Sequence, residues 1–353
     1  MKTVRVIGVM SGTSLDGIDL AEITFLDTEQ WKFKLGSCKT YPYSKKREEQ
    51  LRVASSFSSK ELKKLDIAYT TYLAEVILHF INENNLHAID AVCTHGHTIL
   101  HQPDRGITLQ IGNLPELASL IKQKIVCDFR VADVQLGGQG APLVPIGDQL
   151  LFPEYAYCVN FGGFANISFQ KGNERIAFDI CPVNVVLNKY ALQLGQPYDA
   201  YGAFAKKGTV NDELLLQLNA LDFYKIKPPK SLGIEWVNNV VIPLIDSFEI
   251  SVEDKLRTFT AHVAQCIGTA LGLPSNGSDK KALLTGGGVF NTFLLQELKK
   301  YTTVELVVPD KNLIAYKEAL IFGLLGVLRL QNKINVLSSV TGASKNHSSG
   351  SIF

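Results

Sequence analysis

The chain reads as an α/β protein of two domains, and three observations predict this. A short apolar segment, 4–9, runs into the turn Gly8-Val-Met-Ser-Gly-Thr-Ser-Leu-Asp-Gly-Ile-Asp19, and an alternating segment, 20–25, runs out of it. A second strand–turn–strand unit stands well downstream, around Gly162-Gly163, as if the first theme were repeated, although letter identity between the two is poor. The chain has 353 residues, 46% of them hydrophobic, which is enough for two cores.

Taken in order, 4–9 and 20–25 are the first two strands and 31–40 a third. A helix follows from Lys46 to about Phe57. The next begins after Ser58, where Ser-Ser-Lys-Glu has the form of a capping box closed by Glu61. Its apolar positions Leu62, Leu65, Tyr69, Tyr72, Leu73, Val76, Ile77 and Phe80 recur with helical period. A strand at 88–93 ends in Thr94-His95-Gly96-His97-Thr98, and 108–111 precedes a helix start with Pro115 in its first turn. The strand 124–127 leads into a polar, glycine-rich stretch, 128–145. The hairpin 157–169 is the second strand–turn–strand unit. The turn Gly286-Gly287-Gly288 leads into a helix at 293–301, and a last helix spans about 316–331. The domain boundary is expected near 147–152, dividing 1–148 plus about 316–353 from 149–315.

Composition narrows the function. Net charge is +1, with no long basic run and only two tryptophans, so nucleic-acid binding has no electrostatic support. Six scattered cysteines without a CxxC argue against a zinc site or a disulfide framework and for reduced thiols in a cytoplasmic protein. The apolar run 319–328 is too short to span a bilayer, and the N-terminus lacks a secretion signal, so no membrane association is expected.

The chemistry begins at the first turn. Small residues let backbone N–H groups approach an anion, and Asp16 and Asp19 add carboxylates suited to Mg²⁺. The spacing is neither GxxxxGK[ST] nor a dinucleotide fingerprint. A strand–turn–strand phosphate loop points to a nucleotide-dependent phosphotransferase built like actin or the sugar kinases. His95, His97 and His101 have no matching Cys/His group nearby to complete a metal site. Gly12-Thr-Ser14 also lacks the order of a nucleophile elbow.

Eight segments together resemble the anhydro-N-acetylmuramic acid kinase family of the sugar-kinase/actin-like superfamily. They are GVMSGTSLDGID at 8–19, THGHT at 94–98, LQIGN at 109–113, DFRVADVQLGGQGAPLVP at 128–145, NFGGFANIS at 160–168, FDICPVN at 178–184, PKSLGIEW at 229–236 and TGGGVFN at 285–291. The resemblance implies two RNase-H-like domains around a central cleft, and because the phosphate-facing segments lie on both sides of the expected boundary, closure is expected to gate turnover. It also implies ATP, Mg²⁺ and a one-step hydrolysis and phosphorylation of 1,6-anhydro-N-acetylmuramic acid to N-acetylmuramic acid 6-phosphate in cell-wall recycling. A homodimer is compatible with it. The alternatives left open are an actin-like ATP-binding interaction protein with little sugar turnover and a kinase for a related amino sugar.

By the same resemblance, Asp179 is the base that activates water. Gly12, Thr13, Ser14 and Gly17 would meet the phosphates, with Asp16 or Asp19 directing Mg²⁺. Gly162, Gly163 and Asn166 would hold them from the second domain, and Gly286, Gly287, Gly288 and Asn291 would approach the adenosine. Thr94, His95, His97, Arg130 and Glu318 are expected at the sugar, Arg130 by pairing with the lactyl carboxylate, while Asp133 and Gln139 organise the loop nearby. The chain departs from the family at Cys181 and Val183, which stand where glycine is usual. Side-chain volume there, or a forbidden positive φ, is expected to reshape the pocket.

Overall fold

The computed structural model describes residues 2–12, 14–276 and 280–353. The chain forms two compact units, Met1–Phe152 with Tyr316–Phe353, and Pro153–Ala315. The helix Val144–Leu151 carries the first unit four residues past the expected division at 148.

In the first unit, β1 (Lys2–Ser11), β2 (Gly17–Asp27) and β3 (Lys32–Pro42) form an antiparallel meander. β4 (Ala91–Gln102) then adds parallel to β1, and β6 (Ile125–Cys127) parallel to β4, while β5 (Ile107–Ile111) folds back antiparallel on β4. From Val6 onward β1 is buried on both faces, as a central strand covered by helices must be. The helix Ser59–Glu83 covers one face with Leu65, Tyr69, Leu73, Ile77 and Phe80, packed with Ile7 and Val9 of β1. Its start is closed by the expected capping box: Ser58 Oγ accepts from the Glu61 N–H, and Glu61 accepts from the Ser58 N–H at 2.8 Å.

The other face is covered by the helix Lys311–Leu330, whose residues from Tyr316 onward belong to this unit. Glycines bring the helix and the sheet into close contact here. A Cβ on Gly8 would fall 1.9 Å from the carbonyl oxygen of Ala319, and one on Gly326 would meet the Cys93 sulfur at 2.1 Å.

The second unit repeats the plan. β7 (Tyr157–Phe161), β8 (Phe164–Lys171) and β9 (Glu174–Pro182) form the antiparallel meander, and β10 (Lys281–Thr285) and β11 (Glu305–Val307) add in parallel beyond β7. The strand orders β6-β4-β1-β2-β3 and β11-β10-β7-β8-β9 are the same, with the same directions. Two RNase-H-like units result, and the poor letter identity between the hairpins conceals a duplicated topology. The helix Val252–Leu271, capped by Ser251 on the Asp254 N–H at 3.0 Å, buries Leu256, Phe259, Val263 and Ile267 in this core. The chain ends in the first unit, where β12 (Ser351–Ile352) pairs antiparallel with β6. No helix among the described residues is long and apolar enough to cross a membrane.

Candidate active site

In the first unit Asp16 lies in the turn between β1 and β2, and Asp19 within β2. Asp16 is exposed, and Ser14 Oγ donates to its Oδ1 at 2.7 Å. Asp19 sits opposite Thr40 of β3 and accepts that hydroxyl at 2.5 Å. Partial burial raises the Asp19 pKa, the Thr40 bond opposes this, and the Asp16 charge adds to it. Two neighbouring carboxylates form a hard-oxygen donor set that fits Mg²⁺, which keeps most of its waters and takes few protein ligands. Among the described residues no group of three His, Cys, Asp or Glu is arranged to hold an ion unaided. Gly17 serves the strands, since a Cβ there would lie 2.4 Å from the Tyr41 carbonyl oxygen. Thr13 lies outside the described residues.

The Thr-His-Gly-His segment lies inside β4, not after it. A bulge interrupts its pairing with β1 between Val9↔Thr94 and Ser11↔His97. Gly96 makes it, with φ +73° and no room for a Cβ, which would meet the Ile111 carbonyl oxygen at 2.6 Å. The bulge sends the two histidines to different faces. His97 joins Tyr69 of the helix Ser59–Glu83, and His95 joins Phe322 of the helix Lys311–Leu330, with ring centroids 5.9 and 4.7 Å apart.

His97 Nδ1 bonds Ser11 Oγ at 2.8 Å, and Ser11 continues through Tyr43 to Tyr69, each step 2.6 Å. Burial lowers the His97 pKa to about 4, so the ring is neutral in this chain of hydroxyls. His95 has both nitrogens engaged: Nδ1 donates to the Gly96 carbonyl at 3.0 Å, and Nε2 accepts from Arg130 Nε at 2.8 Å. Its place is therefore behind Arg130, not at a sugar hydroxyl. Burial holds its pKa well below the usual value, and the Arg130 charge adds to this, which keeps it an acceptor. Thr94 is buried, its hydroxyl taking the Gly96 N–H at 3.0 Å, so it shapes the bulge.

Arg130 is the group this scaffold presents. Nη1 donates to the Gly140 carbonyl at 2.5 Å, and with Nε on His95 the guanidinium plane is fixed. Burial pulls its pKa down to about 10, and Glu318 and Asp133 oppose this, so it stays charged at neutral pH. Asp133 is wholly buried and accepts the Thr341 hydroxyl and the Gly140 N–H, each at 2.7 Å. Gln139 donates its backbone N–H to the Thr341 carbonyl at 2.8 Å. Both organise the loop as expected. Glu318 keeps solvent access in crowded surroundings that raise its carboxyl pKa; Arg130 opposes the rise, and Asp19 and Asp16 add to it. Acid pair, arginine and glutamate are thus electrostatically one set.

In the second unit the β7–β8 turn anchors the helix Asn184–Gln193. The Gly163 carbonyl accepts from the N–H of Val183 at 2.8 Å and of Val185 at 3.3 Å, and the Gly162 carbonyl from Asn184 at 3.4 Å. Asp179 lies within β9, opposite exposed Asn166 of β8. The register slips just beyond, at Ile180, and such a bulge re-aims the side chains beside it. Asp179 Oδ2 accepts the Leu232 N–H at 2.8 Å, and its own N–H donates to the Lys230 carbonyl at 3.0 Å. Burial raises its pKa, and the Leu232 bond opposes the rise. The helix Asn184–Gln193 takes no side-chain cap, so Asp179 is not spent there.

Cys181 and Val183 do not reshape a ligand surface. Both are fully buried in the core of this unit. Val183 has φ −132°, and neither residue is among those with positive φ.

The glycine turn after β10 borders a cavity of about 440 Å³ that Leu187, Tyr198, Tyr201, Gly287 and Phe290 help to line. Gly286 needs its positive φ of +83°, and Gly288 lies against Phe161, whereas Gly287 faces open space. Asn291 lines the cavity too, but its Oδ1 caps the next helix through the Leu294 N–H at 3.0 Å. Tyr198, Tyr201 and Phe290 are 59, 69 and 44% exposed, an aromatic surface that fits a nucleobase.

The model of the family "AnmK: Anhydro-N-acetylmuramic acid kinase" matches residues 4–353. The chain belongs to that family. It is 32% identical over 369 residues to the anhydro-N-acetylmuramic acid kinase of Aliivibrio fischeri, covering 99% of each chain. Its identity to the kinase of the same name from Azorhizobium caulinodans is 33% over 372 residues, again covering 99% of each. Among solved structures it is similar to component A of (R)-2-hydroxyglutaryl-CoA dehydratase from Acidaminococcus fermentans, at 13% identity, 92% and 97% coverage and a TM-score of 0.46.

The Pro-Lys-Ser-Leu segment at 229–232 carries the resemblance without suggesting a role from its letters, yet it holds Asp179 from both sides. The tyrosines of Pro-Tyr-Asp-Ala-Tyr at 197–201 also went unassigned. Two aromatics around an aspartate in a loop, before the strained backbone at Tyr201 (φ +59°), were the available signal.

Proposed function

We propose that this chain phosphorylates 1,6-anhydro-N-acetylmuramic acid at the expense of ATP, with water opening the anhydro ring, to give N-acetylmuramic acid 6-phosphate and ADP. Full-length membership in the family supports the reaction, and the setting of Asp179 supports its mechanism. A carboxylate with a raised pKa, held by the Leu232 N–H beside Asn166 of the glycine hairpin, is suited to take a proton from water.

In this reading Asp179 removes the water proton as the hydroxide oxygen bonds to C1 and the C1–O6 bond breaks. O6 carries the released electron pair to the γ-phosphorus, and ADP departs. Asp179 then returns its proton to solvent. Arg130, fixed by His95 and Gly140, binds the lactyl carboxylate through Nη2, and Glu318 accepts a sugar hydroxyl. Gly162, Gly163 and Asn166 orient the phosphates, while Tyr201 and Phe290 stack on the adenine beside Gly287. Asp16 and Asp19, the latter directed by Thr40, would hold Mg²⁺. When bound, the ion offsets charge on the phosphate oxygens. We assign the acid pair, Arg130 and Glu318 to the domain 1–148 with about 316–353, and Asp179 and the nucleotide turns to 149–315.

The test is turnover of purified protein with ATP, Mg²⁺ and the anhydro sugar in ¹⁸O-water. Label at C1 of a sugar 6-phosphate, with equimolar ADP, is the expected result. Absence of both products would overturn the activity. Equal use of the already opened sugar would replace ring opening with simple phosphorylation.

A further inference from the structure

Residues 225–235 form a segment whose ends meet: Phe223, before it, packs on Trp236, after it, with ring centroids 5.3 Å apart. Every residue between 225 and 235 is exposed except Lys230 and Leu232. The Leu232 N–H holds the Asp179 carboxylate at 2.8 Å, and the Lys230 carbonyl takes the Asp179 N–H at 3.0 Å. A segment this exposed buries too little apolar surface to keep its own shape. It nevertheless supplies these two contacts to the candidate base.

The Lys230 side chain is what holds it. Its ammonium donates to the Phe223 carbonyl at 3.1 Å and lies 4.3 Å from the centre of the Phe223 ring. The rings of Phe178 and Tyr224 stand further off, at 5.9 and 6.0 Å, still within the range of a cation–π attraction. This box is itself braced. The Tyr224 hydroxyl is bonded to His262 Nε2 at 2.8 Å, and His262 Nδ1 to the Asn219 amide oxygen at 2.7 Å. Phe178 precedes Asp179 on β9, so the lysine reaches back to the strand that carries the base. Among the described residues, the hydrogen bonds from Lys227–Leu232 to the rest of the unit run through Lys230 and Leu232 alone. The ion pair of Lys225 with Asp222 is exposed on both sides and contributes little.

We infer that Lys230 is a positioning residue for the phosphotransfer: its ammonium, seated against Phe178, Phe223 and Tyr224, anchors the 225–235 segment so that the Leu232 N–H meets the Asp179 carboxylate. The inference rests on Asp179 being the base. The lysine acts through the segment and not through its charge, because burial and the opposing Leu232 bond are what set the Asp179 pKa. The other titratable groups around the ammonium are Cys181 on β9, Cys266 and His262 on the helix Val252–Leu271, and Tyr224. Burial lowers the Lys230 pKa, and the two sulfurs oppose this. Without the anchor the Leu232 bond is lost, nothing opposes burial, and the Asp179 pKa rises further. A base acts only when deprotonated, so the acid limb of the rate profile moves to higher pH.

The test compares the full chain with Lys230→Met, which removes the ammonium at nearly constant length. Amide hydrogen exchange should quicken across 225–235 while the strands of the second unit stay protected. The kcat for the anhydro sugar should fall by about tenfold or more, the scale of a misplaced catalytic group, with KM for ATP unchanged and the acid limb of kcat shifted upward. Lys230→Arg, which keeps a cation and donors for the box, should restore most of kcat, and Lys230→Gln serves if the methionine variant fails to fold. Unchanged exchange in 225–235 would overturn the anchor. Faster exchange with kcat and acid limb unmoved would overturn its link to the base, and a lower kcat with the limb unmoved would make Lys230 a structural residue. Near-normal turnover of Asp179→Asn would remove the base reading by itself, while exchange still reads the anchor without any activity.

Discussion

Replacing Asp179 with asparagine separates a catalytic carboxylate from a structural one, because the two roles predict opposite changes in stability. The carboxamide keeps the size of the side chain, and its oxygen still accepts the Leu232 N–H, now at 2.8 Å in the parent. It cannot take a proton from water. Turnover of the anhydro sugar should fall by at least about 100-fold, equivalent to about 2.7 kcal/mol of barrier, with nucleotide binding unchanged. Stability should move the other way. Burial raises the Asp179 pKa in the folded chain, so the folded state prefers the protonated acid. That preference is fully present below the unfolded value of about 3.9 and is lost as pH rises through the raised folded value, where a charge must be kept in poor solvent. The asparagine variant never carries this charge. Its urea midpoint at neutral pH should equal or exceed the parent's, and the gap should close on acidification below about pH 4. Steady-state kinetics and urea titrations at several pH values read both effects. Near-normal turnover would remove Asp179 from the chemistry, and a turnover loss matched by a lower urea midpoint would make it a structural group.

Tyr201→Ala should raise the KM for ATP about tenfold or more, the scale of one stacked base, while kcat at saturating ATP is kept; an unchanged KM would exclude the aromatic cavity as the nucleobase site. Asp16→Asn should raise the Mg²⁺ concentration for half-maximal rate at fixed ATP, measured by metal titration. Arg130→Lys should weaken sugar binding about tenfold, read as KM for the anhydro sugar, because lysine cannot be held by His95 and Gly140 while offering a planar donor edge. Gly96→Ala should lower the stability by about 2 kcal/mol or more in urea titration, since φ +73° and a contact of 2.6 Å to the Ile111 carbonyl oxygen act together.

The repeated hairpins were legible because their pattern is local: apolar alternation, a glycine turn, alternation again. The Ser58–Glu61 box and the period behind it placed the longest helix for the same reason. The helix Val252–Leu271, which closes the second core, was not among the expected elements, although Ser251-Val-Glu-Asp254 is a start signature of the same kind. At the site, Asp16, Asp19, Arg130 and Asp179 could be named from their motifs, but not the hydrogen bonds that set their tasks. Nothing in Thr-His-Gly-His tells that a bulge at Gly96 parts the two histidines, one toward Ser11 and one toward Arg130. The concern over Cys181 and Val183 assumed that they face a ligand. Only the packing of β9 and of the start of the helix Asn184–Gln193 into the core turns both inward. Partners distant in sequence, such as Leu232 for Asp179 or Thr341 for Asp133, are tertiary facts that a motif does not encode.

The discontinuous first unit also sets an order of assembly during synthesis. The second unit is one unbroken stretch, Pro153–Ala315, and can complete its core as soon as that stretch leaves the ribosome. The first unit cannot, although its meander is made earliest. Gly8 of β1 awaits the backbone of Ala319, and β6 awaits its last partner, Ser351–Ile352. Until then one face of the opening sheet stands uncovered. The nascent chain therefore carries a finished second half beside an open first half, and the Lys311–Leu330 segment is what ends its need for protection.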